Sequence, residues 1–189
     1  MQTFSLKPRW TNASKVSAGV SVDITEDFVI ADFAVRESPA CFRQEKEQDG
    51  EAVCEDSCVE IFLNMFDRSA RYANFEFNSK GVCYAARGKG REDRQELSKE
   101  EYAKIIRNPG KVVMEGDFYR WMLSVQIPKE LLGVNNGDLR NFLMEGNLYK
   151  CADLADEPHW LTAFPIETEK PDFHRPDFFA NINIPSWSK

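Results

Sequence analysis

Alternation of apolar and polar positions is densest between Glu55 and Gly88, EDSCVEIFLNMFDRSARYANFEFNSKGVCYAARG, and predicts three consecutive strands there. In the first, Val59, Ile61, Leu63 and Met65 share one face, and Cys58, Glu60, Phe62 and Asn64 share the other. In the second, Phe75 and Phe77 oppose Tyr72, Asn74, Glu76 and Asn78. Ser79-Lys80, closed by Gly81, reads as a two-residue turn, after which GVCYAAR returns. That turn sets Glu76 opposite Cys83, Asn74 opposite Ala85 and Tyr72 opposite Arg87. It places Phe75, Phe77, Val82 and Tyr84 on a core face. Tyr72, Asn74, Glu76 and Arg87 gather on the opposite face, where Glu60 joins them. Such a face is either the solvated side of an antiparallel sheet or a site for a polyhydroxylated ligand.

The rest of the chain extends the pattern. Residues 1–15 read as an extended lead-in, with Pro8 and Trp10 tucked against an edge. AGVSVDITEDFVIADFAVRES predicts a hairpin turning near Glu26-Asp27. Residues 36–54 make a long polar loop, and loops of that length are mobile or functional. In LSKEEYAKIIRNPG, Ser98 and Glu101 form a capping box, so a helix is expected to start there and stop by Asn108-Pro109-Gly110. KVVMEGDFYRWMLSVQIP predicts two strands, IPKELLG a helical turn, and Asn135-Asn136-Gly137 a turn. LRNFLMEGNLYK and the closing FFANINI read as further strands. Eight to ten short strands with one or two short helices predict an all-β fold, a β-sandwich or jelly roll.

Totals narrow the function more than the fold. A chain of 189 residues is expected to form one domain over 1–189. Net charge of −7 argues against a nucleic-acid partner, which calls for a clustered basic footprint. No apolar run is long enough to cross a bilayer as a helix, so no membrane partner is expected. The N-terminus lacks a basic region followed by an apolar run. The expectation is therefore a cytoplasmic protein, or a secreted one if a signal has been removed. Cys41, Cys54, Cys58, Cys83 and Cys151 are odd in number and scattered, the pattern of free, mostly buried thiols.

Candidate chemistry points to binding. His159 and His174 have no metal-ligand spacing and read as structural, and no phosphate loop or nucleophile elbow is present. Glu60 and Glu76 are the one pair that a glycan-processing hydrolase would use as acid and base, since adjacent strands supply a suitable carboxyl separation. Sugar recognition asks instead for an aromatic platform and planar donors and acceptors for vicinal hydroxyls. Glu60, Tyr72, Glu76 and Arg87 offer the polar groups, and Trp160 in EPHWLTAF the platform. The expected partner is a mono- or oligosaccharide; the oligomeric state is open.

EDSCVEIFLN, YANFEFNSKGVCYAARG, the IP ending a strand, NLYKCAD, PHWLTAFPI and KPDFHRPDFF together resemble the carbohydrate-binding module family 9-like proteins that stand alone in gut Bacteroidetes. The resemblance runs from about Val53 to Phe179. It implies a non-catalytic β-sandwich jelly roll that binds sugars, at glycan reducing ends in characterised relatives, between two tryptophans. No cofactor is required, and calcium in such relatives is structural. Glu60 matches the ligand-contacting Glu after DSCVE, and Arg87 the binding Arg of the returning strand. Two positions depart from the pattern. Cys54 stands where relatives carry Trp, and Thr162-Ala163-Phe164-Pro165-Ile166 stands for SW-x-PI. Trp160 and Phe164 are near enough to substitute; otherwise the module has lost its sugar clamp and serves as a protein-interaction domain.

Overall fold

In the computed structural model, residues 1–67 and 69–185 are described. A hairpin of β2 (Val16–Ile24) and β3 (Phe28–Glu37) follows β1 (Gln2–Arg9). The long polar loop then leads to β4 (Cys58–Asn64), β5 (Tyr72–Asn78), β6 (Cys83–Gly88) and the two-residue β7 (Gln95–Glu96). A one-turn helix α1 (Lys99–Tyr102) precedes β8 (Ile106–Pro109), β9 (Val113–Glu115) and the long β10 (Phe118–Pro128). Closing the chain are β11 (Glu145–Ala152), β12 (His159–Thr162) and β13 (Ala180–Asn181). Apart from α1 and short 3-10 turns, the described chain is all β. Among the described residues no helix is long and apolar enough to cross a membrane.

The strands form one curled sheet in the order β7-β6-β5-β4-β11-β12-β1-β2-β3-β10-β8, with β13 beside β11 and β9 beside β10. The expected lead-in is in fact the strand that joins the halves. Gln2 to Leu6 of β1 pair with β2, and Lys7 to Arg9 of the same strand pair with β12. Curling lets the halves share one core. Val20, Phe33, Trp121 and Leu123 from one half meet Ile61, Phe75, Phe77 and Leu148 from the other. Period-2 alternation is what allows this, since each strand presents one apolar row inward.

Two expectations need correction. The helix at Ser98 has its capping box, with the Ser98 hydroxyl accepting from the Glu101 amide, but lasts a single turn. The chain then becomes β8 and pairs with β10 from Leu123↔Pro109 to Gln126↔Ile106. The second concerns the β5–β6 hairpin. Gly81 adopts φ +80°, Gly81 N donates to Asn78 O at 2.9 Å, and Asn78 N donates to Val82 O at 3.0 Å. Three residues, not two, therefore connect the strands, with glycine at the left-handed position that such loops use. The extra residue shifts the register to Glu76↔Tyr84 and Ala73↔Arg87. A one-residue slip exchanges the faces of a whole strand. Cys83 and Ala85 therefore enter the core, and Tyr84 turns to the polar face.

The long loop before β4 is anchored at its middle by a buried carboxylate, beside outer contacts such as Arg107 to Asp49. The buried Asp56 carboxylate accepts from Glu45 N at 2.9 Å, Lys46 N at 2.8 Å and the Asn78 amide at 3.1 Å. Gly50 N also donates to Cys83 O at 2.9 Å, which brings the loop's end beside the outer face of β5 and β6.

Candidate functional site

On the outer face of β6, β5, β4, β11 and β12, the register lines up Tyr84, Glu76, Glu60, Tyr149 and Thr162 in one row. One side of this face is covered by the segment after β12. Phe173 stacks on Tyr149 with ring centroids 4.1 Å apart, and the Tyr149 hydroxyl donates to Phe173 O at 3.2 Å. Tyr72, stacked on Phe62, shares a 2.8 Å hydrogen bond with His174 Nδ1. What remains open is a cavity of about 680 Å³, within the usual size for a small-molecule site.

Three loops wall it. Gly50, Ala52 and Cys54 come from the loop anchored by Asp56, and Lys170 to His174 come from the covering segment. The third wall is residues 88–94, folded tightly because Lys89 N and Gly90 N both donate to Asp93 Oδ1 at 2.8 Å. A Cβ at Gly88 would lie 2.8 Å from Arg94 Cα, so only glycine permits the fold that returns Arg91 and Arg94 over the sheet. Trp160 flanks the cavity opposite Tyr84, its Nε1 donating to Asp153 Oδ1 at 2.8 Å.

Glu60 and Glu76 form the floor, directly opposite each other across β4 and β5 and almost fully buried. Burial, then the neighbouring Glu76, pushes the Glu60 carboxyl well above the ordinary range. Burial raises Glu76 to about 7, against the lowering pull of Arg94, whose Nη1 is 3.7 Å from Glu76 Oε1. The Cys151 thiol donates to Glu60 Oε1 at 3.0 Å, and the Asn74 amide to Glu76 Oε1 at 3.0 Å. Like charges directly opposite repel, which works with burial to favour the protonated form of Glu60.

Cys58 Sγ, a Glu60 oxygen and Cys151 Sγ lie within 4.8 Å of one another, a geometry in which three ligands converge. Two thiols and a carboxyl are a soft donor set, whereas calcium takes roughly six to eight oxygens. The cluster does not fit calcium. Burial raises Cys58 to about 12, which keeps that thiol protonated. Both histidines are held neutral by burial, and His174 lines the cavity. Burial lowers each to about 3, and His159 Nε2 lies 2.8 Å from Lys150 Nζ in the interior.

Of the residues singled out in the sequence, Glu60, Glu76 and Trp160 meet at the cavity. Tyr72 lies on the same face but beneath the covering segment, where it positions His174 rather than lining the opening. Arg87 is not part of the site. The register slip sends it to the other face, where Nε donates to Leu131 O at 3.0 Å and Nη1 pairs with Glu101 at 2.8 Å. Phe164 does not substitute for a missing platform, since it packs edge-on against Phe4 at 5.7 Å. Missed were Tyr84, assigned to the wrong face, and Arg91, Arg94, Asp153, Lys170 and Asp172, which sit in loops without periodicity. The GKG before the charged run was the one local signal of a tight return.

An all-β scaffold whose outer face carries a walled polar trough flanked by aromatics has the form of a ligand-binding module. The chain belongs to carbohydrate-binding family 9, whose profile matches residues 8–184. Its fold is similar to that of a candidate carbohydrate-binding protein from Bacteroides uniformis ATCC 8492, with TM-score 0.83 and 29% identity over 96% of this chain and 85% of that one. It is also similar to a family 9 module from Caldicellulosiruptor kristjanssonii solved with cellotriose, with TM-score 0.57 and 11% identity over 95% of this chain and 80% of that one. The second likeness speaks to the fold alone. No curated protein matches the chain.

Proposed function

We propose that the sugar-binding role of the family is exercised here in the cavity over β4, β5 and β6, on a mono- or oligosaccharide. The observation that carries this reading is the convergence of Glu60, Glu76 and Arg94 between Trp160 and Tyr84 in one cavity. Tyr84 and Trp160 are four strands apart, roughly 19 Å by ordinary interstrand spacing, too far to sandwich a single ring. Each instead offers a platform to a different part of a longer ligand. Walls on three sides favour a chain end over the middle of a polysaccharide. We further infer that the curled sheet is the sandwich or jelly roll of the family, formed as one module from 189 residues. The reading requires no cofactor. Structural calcium, implied by the resemblance, would need oxygen ligands other than the Cys58–Glu60–Cys151 group.

Calorimetric titration with xylo- and cello-oligosaccharides and their reduced alditols tests it. Binding is expected, weakened on reduction of the terminal sugar. Trp160→Ala should lower affinity by about 5- to 150-fold, the worth of roughly 1–3 kcal/mol from one stacking platform. Trp160→Phe should recover part of it. Full affinity in Trp160→Ala would contradict the assignment of the platform.

A further inference from the structure

Four acids are buried among the described residues, and three of them have partners suited to a carboxylate. Glu37 pairs with Lys150 at 2.9 Å and accepts from Trp121 Nε1 at 2.7 Å. Asp56 accepts from two backbone amides and from Asn78. Glu76 accepts from the Asn74 amide and has Arg94 3.7 Å away. Glu60 has neither a cation nor an amide donor among the described residues. Its hydrogen bond comes from the Cys151 thiol, at 3.0 Å. A thiol is a weak donor, and a buried carboxylate with so little support is costly.

What lies beside Glu60 is a pair of sulfurs fixed by the sheet. Cys58 and Cys151 are directly opposite each other across β4 and β11, and Glu60 is two residues beyond Cys58 on the same face. The three donors, all buried, lie within 4.8 Å of one another. In a tetrahedral zinc site, with Zn–S roughly 2.3 Å and Zn–O roughly 2.1 Å, neighbouring donors are roughly 3.6–3.8 Å apart. Closing the group around an ion therefore asks for side-chain shifts of about 1 Å and no movement of the strands. Glu60 and Cys151 line the cavity, so an ion has an entry path and its fourth position opens there. Two sulfurs beside one carboxylate select a thiophilic cation over calcium or magnesium.

We propose that Cys58, Cys151 and Glu60 bind a thiophilic divalent cation, zinc, in the floor of the cavity, with an oxygen from the cavity (water or a ligand hydroxyl) as its fourth ligand. On binding, the two thiol protons pass to solvent, together with the Glu60 proton wherever that carboxyl is protonated, and no oxidation state changes. The cation gives Glu60 the positive partner that Glu37 and Glu76 have from side chains. The inference stands whether or not the cavity binds sugar.

The test is titration of the fully reduced protein with Co²⁺ as an optical probe, followed by displacement with Zn²⁺. One equivalent of cobalt is expected to bind with the sulfur-to-metal charge-transfer absorption of thiolate ligands, and zinc is expected to abolish that absorption. Cys58→Ala and Cys151→Ala should each remove most of it. Each should also weaken zinc binding, measured against a chromophoric chelator, by at least about 100-fold, since losing even a residue hydrogen-bonded to a metal ligand costs roughly 10–100-fold. Glu60→Gln, which keeps the side-chain volume, should weaken zinc binding while the charge-transfer absorption survives. Cys83→Ala, at a buried thiol on the core face, should leave binding unchanged. Zinc should raise the thermal unfolding temperature of the parent and not that of either variant at Cys58 or Cys151. Unfolding of each variant without metal separates a lost site from a lost fold. No charge-transfer absorption at one equivalent would overturn the inference, as would zinc binding unchanged in both cysteine variants or cobalt displaced equally well by calcium.

Discussion

Glu76 carries the clearest consequence at the scale of a residue. Its carboxyl is held near 7 in the folded protein against an ordinary 4.5, so the folded state keeps a proton that the unfolded state releases. The associated stability is fully present below about pH 4.5 and is lost as pH rises toward 7, at up to about 1.4 kcal/mol per pH unit. Glu60 is shifted in the same direction and adds to the effect. Between pH 5.5 and 7.5 the two histidines, lowered to about 3, pull stability the other way, so the contribution is read against the parent: on going from pH 5.5 to 7.5, thermal unfolding of Glu76→Gln should move upward relative to that of the parent. An unchanged difference between the two would place the titration elsewhere. Glu60 and Glu76 were legible in the sequence because alternation alone assigns them to the face opposite Ile61 and Phe75. Arg94 was not, because its placement depends on a loop fold set by Gly88 and Asp93, to which periodicity is blind.

At the scale of an element, the β5–β6 hairpin shows where a sequence reading stops. Both strands were legible, and β5 was assigned to the right faces. The return strand was reversed, since NSKG is compatible with a two- or three-residue loop and only the left-handed Gly81 decides between them. That one residue moved Arg87 out of the site and Tyr84 into it. The same limit applies to the helix at Ser98, whose cap was correct and whose length was set by the pairing of β8 with β10. The loop before β4 is a testable element in its own right. Asp56→Ala removes the acceptor for two backbone amides and the Asn78 side chain, and should cost about 2–5 kcal/mol in urea unfolding. Sugar affinity should fall with it, because Gly50, Ala52 and Cys54 lose their anchor. A loss below about 0.5 kcal/mol would mean that the loop is held by its other contacts.

At the scale of the molecule, β1 makes the two halves of the sheet a single cooperative structure. Its first five residues belong to one half and its last three to the other, and one core lies between them. Denaturant unfolding followed by tryptophan fluorescence and by far-UV circular dichroism should give superimposable transitions. Separated midpoints would show that the halves unfold independently. The all-β architecture was legible from turn chemistry and alternation, whereas the joining role of β1 was hidden, because alternation over residues 2–7 does not say which strands flank it and Pro8 breaks the pattern where the partner changes.

The central claim is that sugar binds between Trp160 and Tyr84, over Glu60 and Glu76. Mapping backbone amide shifts by NMR during titration with a xylo- or cello-oligosaccharide tests it most directly. The largest changes are expected at 50–54, 84, 91–94, 151–153, 160 and 170–174, with the outer face of β3 and β10 silent. Changes centred on that second face, or around Arg87 and Glu101, would contradict it.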